Sequence, residues 1–216
     1  MCGIAGIVHW GECAQPDAQA RVLRMEAAMR HRGPDDQGTW SSHLAVLGHT
    51  RLSILDLTSG KQPMTNEDAR IIVVYNGEIY NHRELRQELE KAGHAFKSDH
   101  SDTEVLVHGY ESWGSNLLPR LNGMFAFAIW DQRDQCLFLG RDRYGIKPLY
   151  VSYRPNDSVI FASEIRAILA SGLVEKRESI DGVIEYLSLQ NMTGERTPFK
   201  GIEQFPSGHW EKVSKS

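Results

Sequence analysis

Ile71-Ile72-Val73-Val74-Tyr75 is an unbroken apolar run, and it constrains the fold more than any other stretch. Successive side chains of a strand point to opposite faces, so a strand without polar alternation is buried on both of them. Farther on, Phe125, Phe127 and Ile129 alternate with Ala126, Ala128 and Trp130. A turn over Asp131 to Asp134 leads back through Cys136 to Gly140, which makes an antiparallel meander. Further strands are predicted over Gly3–Val8, Leu44–Arg51, Leu149–Tyr153 and Val159–Ala162. Helices are predicted over Asp17–Arg30, with Val22, Met25 and Met29 on one stripe, and from Asn81, with Leu85, Leu89 and Ala92 on one face up to Gly93. Ser101-Asp102-Thr103-Glu104 reads as a capping box opening another helix, and two more are expected over Ser163–Gly172 and Asp181–Gln190. These elements make a mixed α+β chain. Thr193 to Ser216 is polar, holds Pro198, Pro206 and Gly208, and reads as a tail or linker.

The composition narrows the class. With 216 residues, 41% apolar and 24% charged, the chain suits one good-sized core, and no apolar run approaches membrane-spanning length. Three cysteines, Cys2, Cys13 and Cys136, are too scattered for a disulfide framework, which favours a reducing, cytoplasmic setting. A net charge of −4 without a basic patch weighs against nucleic acid. None of the nine histidines pairs with cysteines or acids at metal-ligand spacing, so no metal is predicted.

The chemistry centres on the N-terminus. Once Met1 is removed, Cys2 carries a thiol and a free α-amine on one residue. The thiolate is the nucleophile, and an amine of unperturbed pKa about 7.7–8.0 can take its proton. Arg51 ends a strand, where its planar fork could hold a carboxylate. Asn76-Gly77 is the leading hairpin-turn dipeptide, and its side-chain amide and backbone N–H could also stabilise an oxyanion. Asp102 would sit in a first helical turn, ionised by the helix dipole and facing a ligand ammonium. Two charged stretches, Arg30 to Asp36 and Arg141 to Pro148, read more simply as a solvated turn and as an ion-pair corner or docking surface.

Several blocks, taken together, resemble the N-terminal glutaminase domain of glutamine-hydrolysing asparagine synthetases, a class II glutamine amidotransferase among the N-terminal-nucleophile hydrolases. They are Met1-Cys2-Gly3-Ile4, Arg30-His31-Arg32-Gly33-Pro34-Asp35, His49-Thr50-Arg51-Leu52-Ser53-Ile54, Tyr75-Asn76-Gly77-Glu78-Ile79-Tyr80-Asn81 and Gly145-Ile146-Lys147-Pro148-Leu149-Tyr150. The resemblance implies a four-layer αββα sandwich over residues 2–190, with 191–216 leading toward a synthetase domain. It implies hydrolysis of L-glutamine to L-glutamate and ammonia through a Cys2 thioester, with Asn76 and Gly77 as oxyanion hole. Arg51 would bind the α-carboxylate, Glu78 and Asp102 the α-ammonium, and Leu52, Ser53, Ile54 and Leu55 would line the site. No Ser-Gly-Gly-x-Asp-Ser-type loop for pyrophosphate occurs, so ATP and Mg belong to a synthetase portion in cis or trans, and no cofactor is expected here. A homodimer is compatible with this reading. Two alternatives keep the fold: a non-catalytic regulatory or docking domain, and an N-terminal-nucleophile amidase for a different amide.

Overall fold

A computed structural model describes residues 1–10, 17–52, 60–154 and 158–215. Its first sheet is built from β1 (Gly3–His9), β2 (Asp36–Ser41), β3 (Ala45–Arg51), β8 (Tyr150–Arg154), β9 (Ser158–Ala162) and β10 (Glu203–Gln204), in the order β10-β8-β9-β1-β3-β2. The second holds β4 (Met64–Thr65), β5 (Ile71–Ile79), β6 (Gly123–Asp131), β7 (Cys136–Arg141) and β11 (Trp210–Ser214), in the order β11-β7-β6-β5-β4. All of these pairings are antiparallel.

The period of two along each central strand sorts side chains into separate cores. Ile72, Val74, Ala126, Ala128 and Trp130 pack with Ile4, Val8, Leu47 and Phe161 between the two sheets. Their neighbours Ile71, Val73, Phe125, Phe127 and Ile129 face outward to α2 (His82–Lys91) and α3 (Thr103–Trp113). On the other side, Ala5, Ile7, Val46 and Ile160 meet α1 (Ala18–Ala28) and α4 (Ile165–Ala170) through Val22, Met25, Met29 and Ile168. Two sheets therefore lie face to face with helices outside each, the αββα sandwich expected. Each fully buried large side chain in these layers contributes about 1.5–3 kcal/mol. One buried acid interrupts the α1 layer. Glu26 accepts hydrogen bonds from Thr39 and Gln37, and burial pushes its carboxyl up to about 7.

Three local expectations change. Asn76-Gly77 is not a turn: β5 continues to Ile79, in register with β6 down to Gly123. Gly77 is required by close approach, because a Cβ there would stand 2.3 Å from Met124 O. At the start of α2 the Asn81 side chain makes no cap; it donates to Arg120 O and accepts from Asn122 N. Residues 191–216 are less irregular than their polarity suggested. β10 pairs with β8 and β11 with β7, and Ile202 and Phe205 are buried. These strands are too short, and β11 too polar, to stand out by periodicity.

Candidate active site

Cys2, Arg51, Leu52, Asn76, Gly77, Glu78 and Asp102 all line one pocket of about 180 Å³. Ser53, Ile54 and Leu55 lie outside the described residues. A larger cavity of about 570 Å³, bordered by Arg120, Arg141, Tyr144 and Trp210, holds none of the expected site residues.

One wall comes from the first sheet. Cys2 precedes β1, and its thiol points at Leu52 O at 3.8 Å. The carbonyl of Cys2 accepts from Arg32 Nε at 2.9 Å, and Arg32 in turn pairs with Glu164 at 3.1 Å. Glu164 also meets His31 at 2.9 Å and Arg166 at 2.8 Å. These cations outweigh its burial and hold the Glu164 carboxyl below its usual range; burial alone would raise it. Next door, Ser163 Oγ accepts from Ile4 N at 3.0 Å and Ser163 N donates to Ile4 O at 2.9 Å. Within the Arg30–Asp36 stretch, Arg32 and Gly33 turn inward, while Arg30, His31, Pro34, Asp35 and Asp36 stay exposed as a solvated turn would. Gly33 packs on β3 so closely that a Cβ would stand 2.4 Å from Arg51 N, and Asp35 N donates to Arg51 O at 3.0 Å. These contacts fix the backbone of Arg51, whose side chain is buried at the pocket.

The other wall is an edge of β5. Gln132 N donates to Arg70 O and Tyr80 N to Asn122 O, so even-numbered residues of β5 bond to β6. In an antiparallel pair the intervening N–H groups then point to the opposite edge. There Tyr75 N donates to Gln62 Oε1 at 2.6 Å and Ile79 N to Asp102 Oδ2 at 2.9 Å. Gly77 N–H lies between them and faces the pocket. The side chain of Asn76 is 2% exposed, and its Nδ2 makes no hydrogen bond among the described residues. A buried amide donor left unpaired costs about 1–3 kcal/mol. Two donors thus belong to neighbouring residues that line the pocket holding the thiol.

Asp102 stands at the N-terminus of α3 but does not cap it; its carboxylate accepts from Tyr75 OH at 2.7 Å. Burial pushes the Asp102 carboxyl above its usual range, against the hydrogen bonds from Tyr75 and Ile79. The helix dipole does not prevail here. Burial and the Asp102 charge also raise Glu78, while Lys147 opposes them. Both acids therefore stand where a cation would stabilise their charged forms.

Sequence reasoning missed Arg32, Gln62 and Lys147. Lys147 is 7% exposed, lines the pocket, and places Nζ 3.6 Å from Met1 Sδ. Met1 lines the pocket too, and its peptide bond makes the Cys2 nitrogen an amide.

The model of the glutamine amidotransferase domain family matches residues 1–216. The chain is 40% identical over its whole length to asparagine synthetase [glutamine-hydrolyzing] 3 of Bacillus subtilis (strain 168), covering 35% of that protein. It is 43% identical over 78% of its length to asparagine synthetase [glutamine-hydrolyzing] 3 of Arabidopsis thaliana, covering 28% of it. The chain thus spans about a third of the length of these curated relatives. Among solved structures, the glutamine phosphoribosylpyrophosphate amidotransferase of B. subtilis, complexed with ADP and GMP, shares the fold. Its TM-score is 0.64 at 23% identity, over 79% of this chain and 44% of that one. The chain belongs to the glutamine amidotransferase domain family.

Proposed function

We propose that this chain is the glutaminase part of an asparagine synthetase-like amidotransferase, hydrolysing L-glutamine to L-glutamate and ammonia. The observation that carries the reading is the buried Asn76 Nδ2, without a partner among the described residues, on a residue set beside Gly77 in the pocket of Cys2. Two convergent donors at a nucleophile are what a developing oxyanion needs.

Cleavage of the Met1–Cys2 bond would free the α-amine. That amine takes the thiol proton, and the sulfur attacks the side-chain amide carbon of glutamine. The carbonyl oxygen gains the negative charge and accepts from Asn76 Nδ2 and Gly77 N–H. Collapse breaks the C–N bond, the α-ammonium returns its proton to the nitrogen, and ammonia leaves. Water, deprotonated by the same amine, then attacks the thioester; the C–S bond breaks and glutamate is released. Arg51 would hold the α-carboxylate of the substrate, and Glu78 and Asp102 its α-ammonium. Buried charges left unmatched are costly, so amides without an amino-acid head would be rejected.

Ammonia would pass to a synthetase portion, in cis or trans, of the kind the names of the relatives describe. ATP and Mg would act there, and this chain would need no cofactor. A glutaminase unit that includes β10 and β11, which pair within the two sheets, and a homodimeric assembly belong to the same proposal. A nucleophilic free thiol fits a reducing, cytoplasmic compartment.

The experiment is mass spectrometry of the N-terminus together with an ammonia-release assay on glutamine. Turnover should track the fraction of chains that start at Cys2. Full activity with Met1 retained would overturn the mechanism, and activity unchanged in Cys2→Ala would overturn the reading as a whole.

A further inference from the structure

After α2 ends, the chain passes back along α3 and sets His94 beside His108 and Glu111. The geometry points to a divalent transition-metal site of the zinc class here, with His94 Nδ1, His108 Nδ1 and Glu111 Oε2 as ligands and solvent completing the tetrahedron. The site is independent of the glutaminase reaction and lies in none of the pocket described above.

Both imidazoles approach the same oxygen. Glu111 Oε2 is 3.1 Å from His108 Nδ1 and 3.7 Å from His94 Nδ1, and one donor atom from each residue falls within a 4.8 Å group. Two ligands each about 2.0–2.2 Å from a tetrahedral ion stand about 3.3–3.6 Å apart, so the two Glu111–imidazole separations need shifts of a few tenths of an ångström, and the two imidazoles, within 4.8 Å, would close by up to about an ångström. Histidine nitrogen with carboxylate oxygen is a donor set suited to zinc and its neighbours.

The ligands are also held from behind. Asn66 Nδ2 donates to the other oxygen of Glu111 at 2.7 Å, which leaves Oε2 directed at the imidazoles. His94 Nε2 meets Ser112 Oγ at 2.7 Å, leaving Nδ1 as the atom that faces the site. Such outer contacts fix ligand orientation in metal sites. His108 is 1% exposed, whereas the side chains of His94 and Glu111 are 21% and 24% exposed, so the third and fourth positions open to solvent.

Charge favours a dication as well. Glu67 and Glu104 stand 3.9 and 3.6 Å from His108 Nε2, so three acids surround two imidazoles. Glu104 is already engaged by Lys97 N at 2.7 Å and Ser98 N at 2.8 Å, and supplies field without joining the ligands. An ion here would tie the segment after α2 to α3, the helix that carries Asp102 at its start. The sequence concealed the site because His108-x-x-Glu111 spans one helical turn and its third member, His94, lies outside the helix.

The test is Zn²⁺ titration of the full chain after chelator treatment, read by calorimetry, with Co²⁺ absorption as reporter of the donor atoms. One ion per chain is expected, with a Co²⁺ spectrum showing d–d bands and no thiolate charge-transfer band. His94→Ala and Glu111→Gln, which lie at the exposed edge, should each weaken binding about tenfold or more while keeping the wild-type circular dichroism. Absence of one-to-one binding overturns the inference. So does affinity unchanged in both variants, or a thiolate band that moves the ion to a cysteine.

Discussion

The two walls of the Cys2 pocket differ in how far their buried charges are met by partners. On the first-sheet side, Arg32, Glu164 and Ser163 are bonded to one another or to the backbone around Cys2 and Ile4, with Arg32 Nη2 left without a partner among the described residues. On the β5 side, Asn76 Nδ2 has no partner among the described residues, and Glu78 and Asp102 are held above their usual pKa range, chiefly by burial. Paired groups lower the energy of the folded chain; unpaired ones raise it unless a ligand completes them. On the proposed reading, the first wall holds the nucleophile still and the second waits for a charge. Fold and reaction draw on different residues within one pocket.

Breaking the contrast at its centre should have the largest effect. Cys2→Ala removes the nucleophile and should lower kcat by roughly 10⁴-fold or more. Next comes the unpaired amide. Asn76→Ala should cost about 2.7–4 kcal/mol of transition-state stabilisation, a loss of roughly 10²–10³ in kcat with KM little changed. It should also leave Tm unchanged or raised, since the deleted donor has no partner to lose. Steady-state kinetics and a thermal melt on the same preparation check both halves. A normal kcat, or a lowered Tm with normal kcat, would assign Asn76 to the first kind of wall.

Much of this was legible in the sequence. The alternation in Phe125–Trp130 and the unbroken run Ile71–Tyr75 foretold strands covered on both faces, because a strand's period of two is a local property. The pocket residues were legible through motifs whose residue types suit the chemistry. What stayed hidden depends on partners far along the chain. Arg32 looked like a solvated charge because Glu164 lies 132 residues away. Asn76-Gly77 looked like a turn because nothing local reveals that β6 pairs along its whole length. Asp102 looked dipole-stabilised because its burial under Tyr75 and Ile79 is a tertiary fact.

The paired wall can be tested by removing one member. Arg32→Met deletes the donor to Cys2 O and leaves Glu164 without that partner. Hydrogen bonds to charged groups contribute about 1.5–3 kcal/mol. The variant should lose a comparable amount of stability in denaturant titration and about tenfold in kcat, through a displaced sulfur. Glu164→Gln in the same background should add little, because the two residues share one network. Additive losses would mean that the network does not act as a unit.

The smallest effect sharpens the contrast through pH. An ammonium bound between Glu78 and Asp102 favours their ionised forms, so glutamine binding and proton binding compete. Both carboxyls are raised in the free protein, so weakening should begin at a higher pH than an ordinary carboxylate would give, and Kd should rise as pH falls. Each competing proton contributes at most about tenfold per pH unit, so the two acids together allow up to about a hundredfold. The measurement is calorimetric titration of glutamine into Cys2→Ala, which binds without turnover. Asp102→Asn keeps an oxygen for Tyr75 OH and Ile79 N–H but cannot ionise, so it should bind more weakly at neutral pH and show a shallower slope. The same slope in Asp102→Asn would leave Glu78 as the acid that meets the ammonium and return Asp102 to a role in holding Tyr75 and β5.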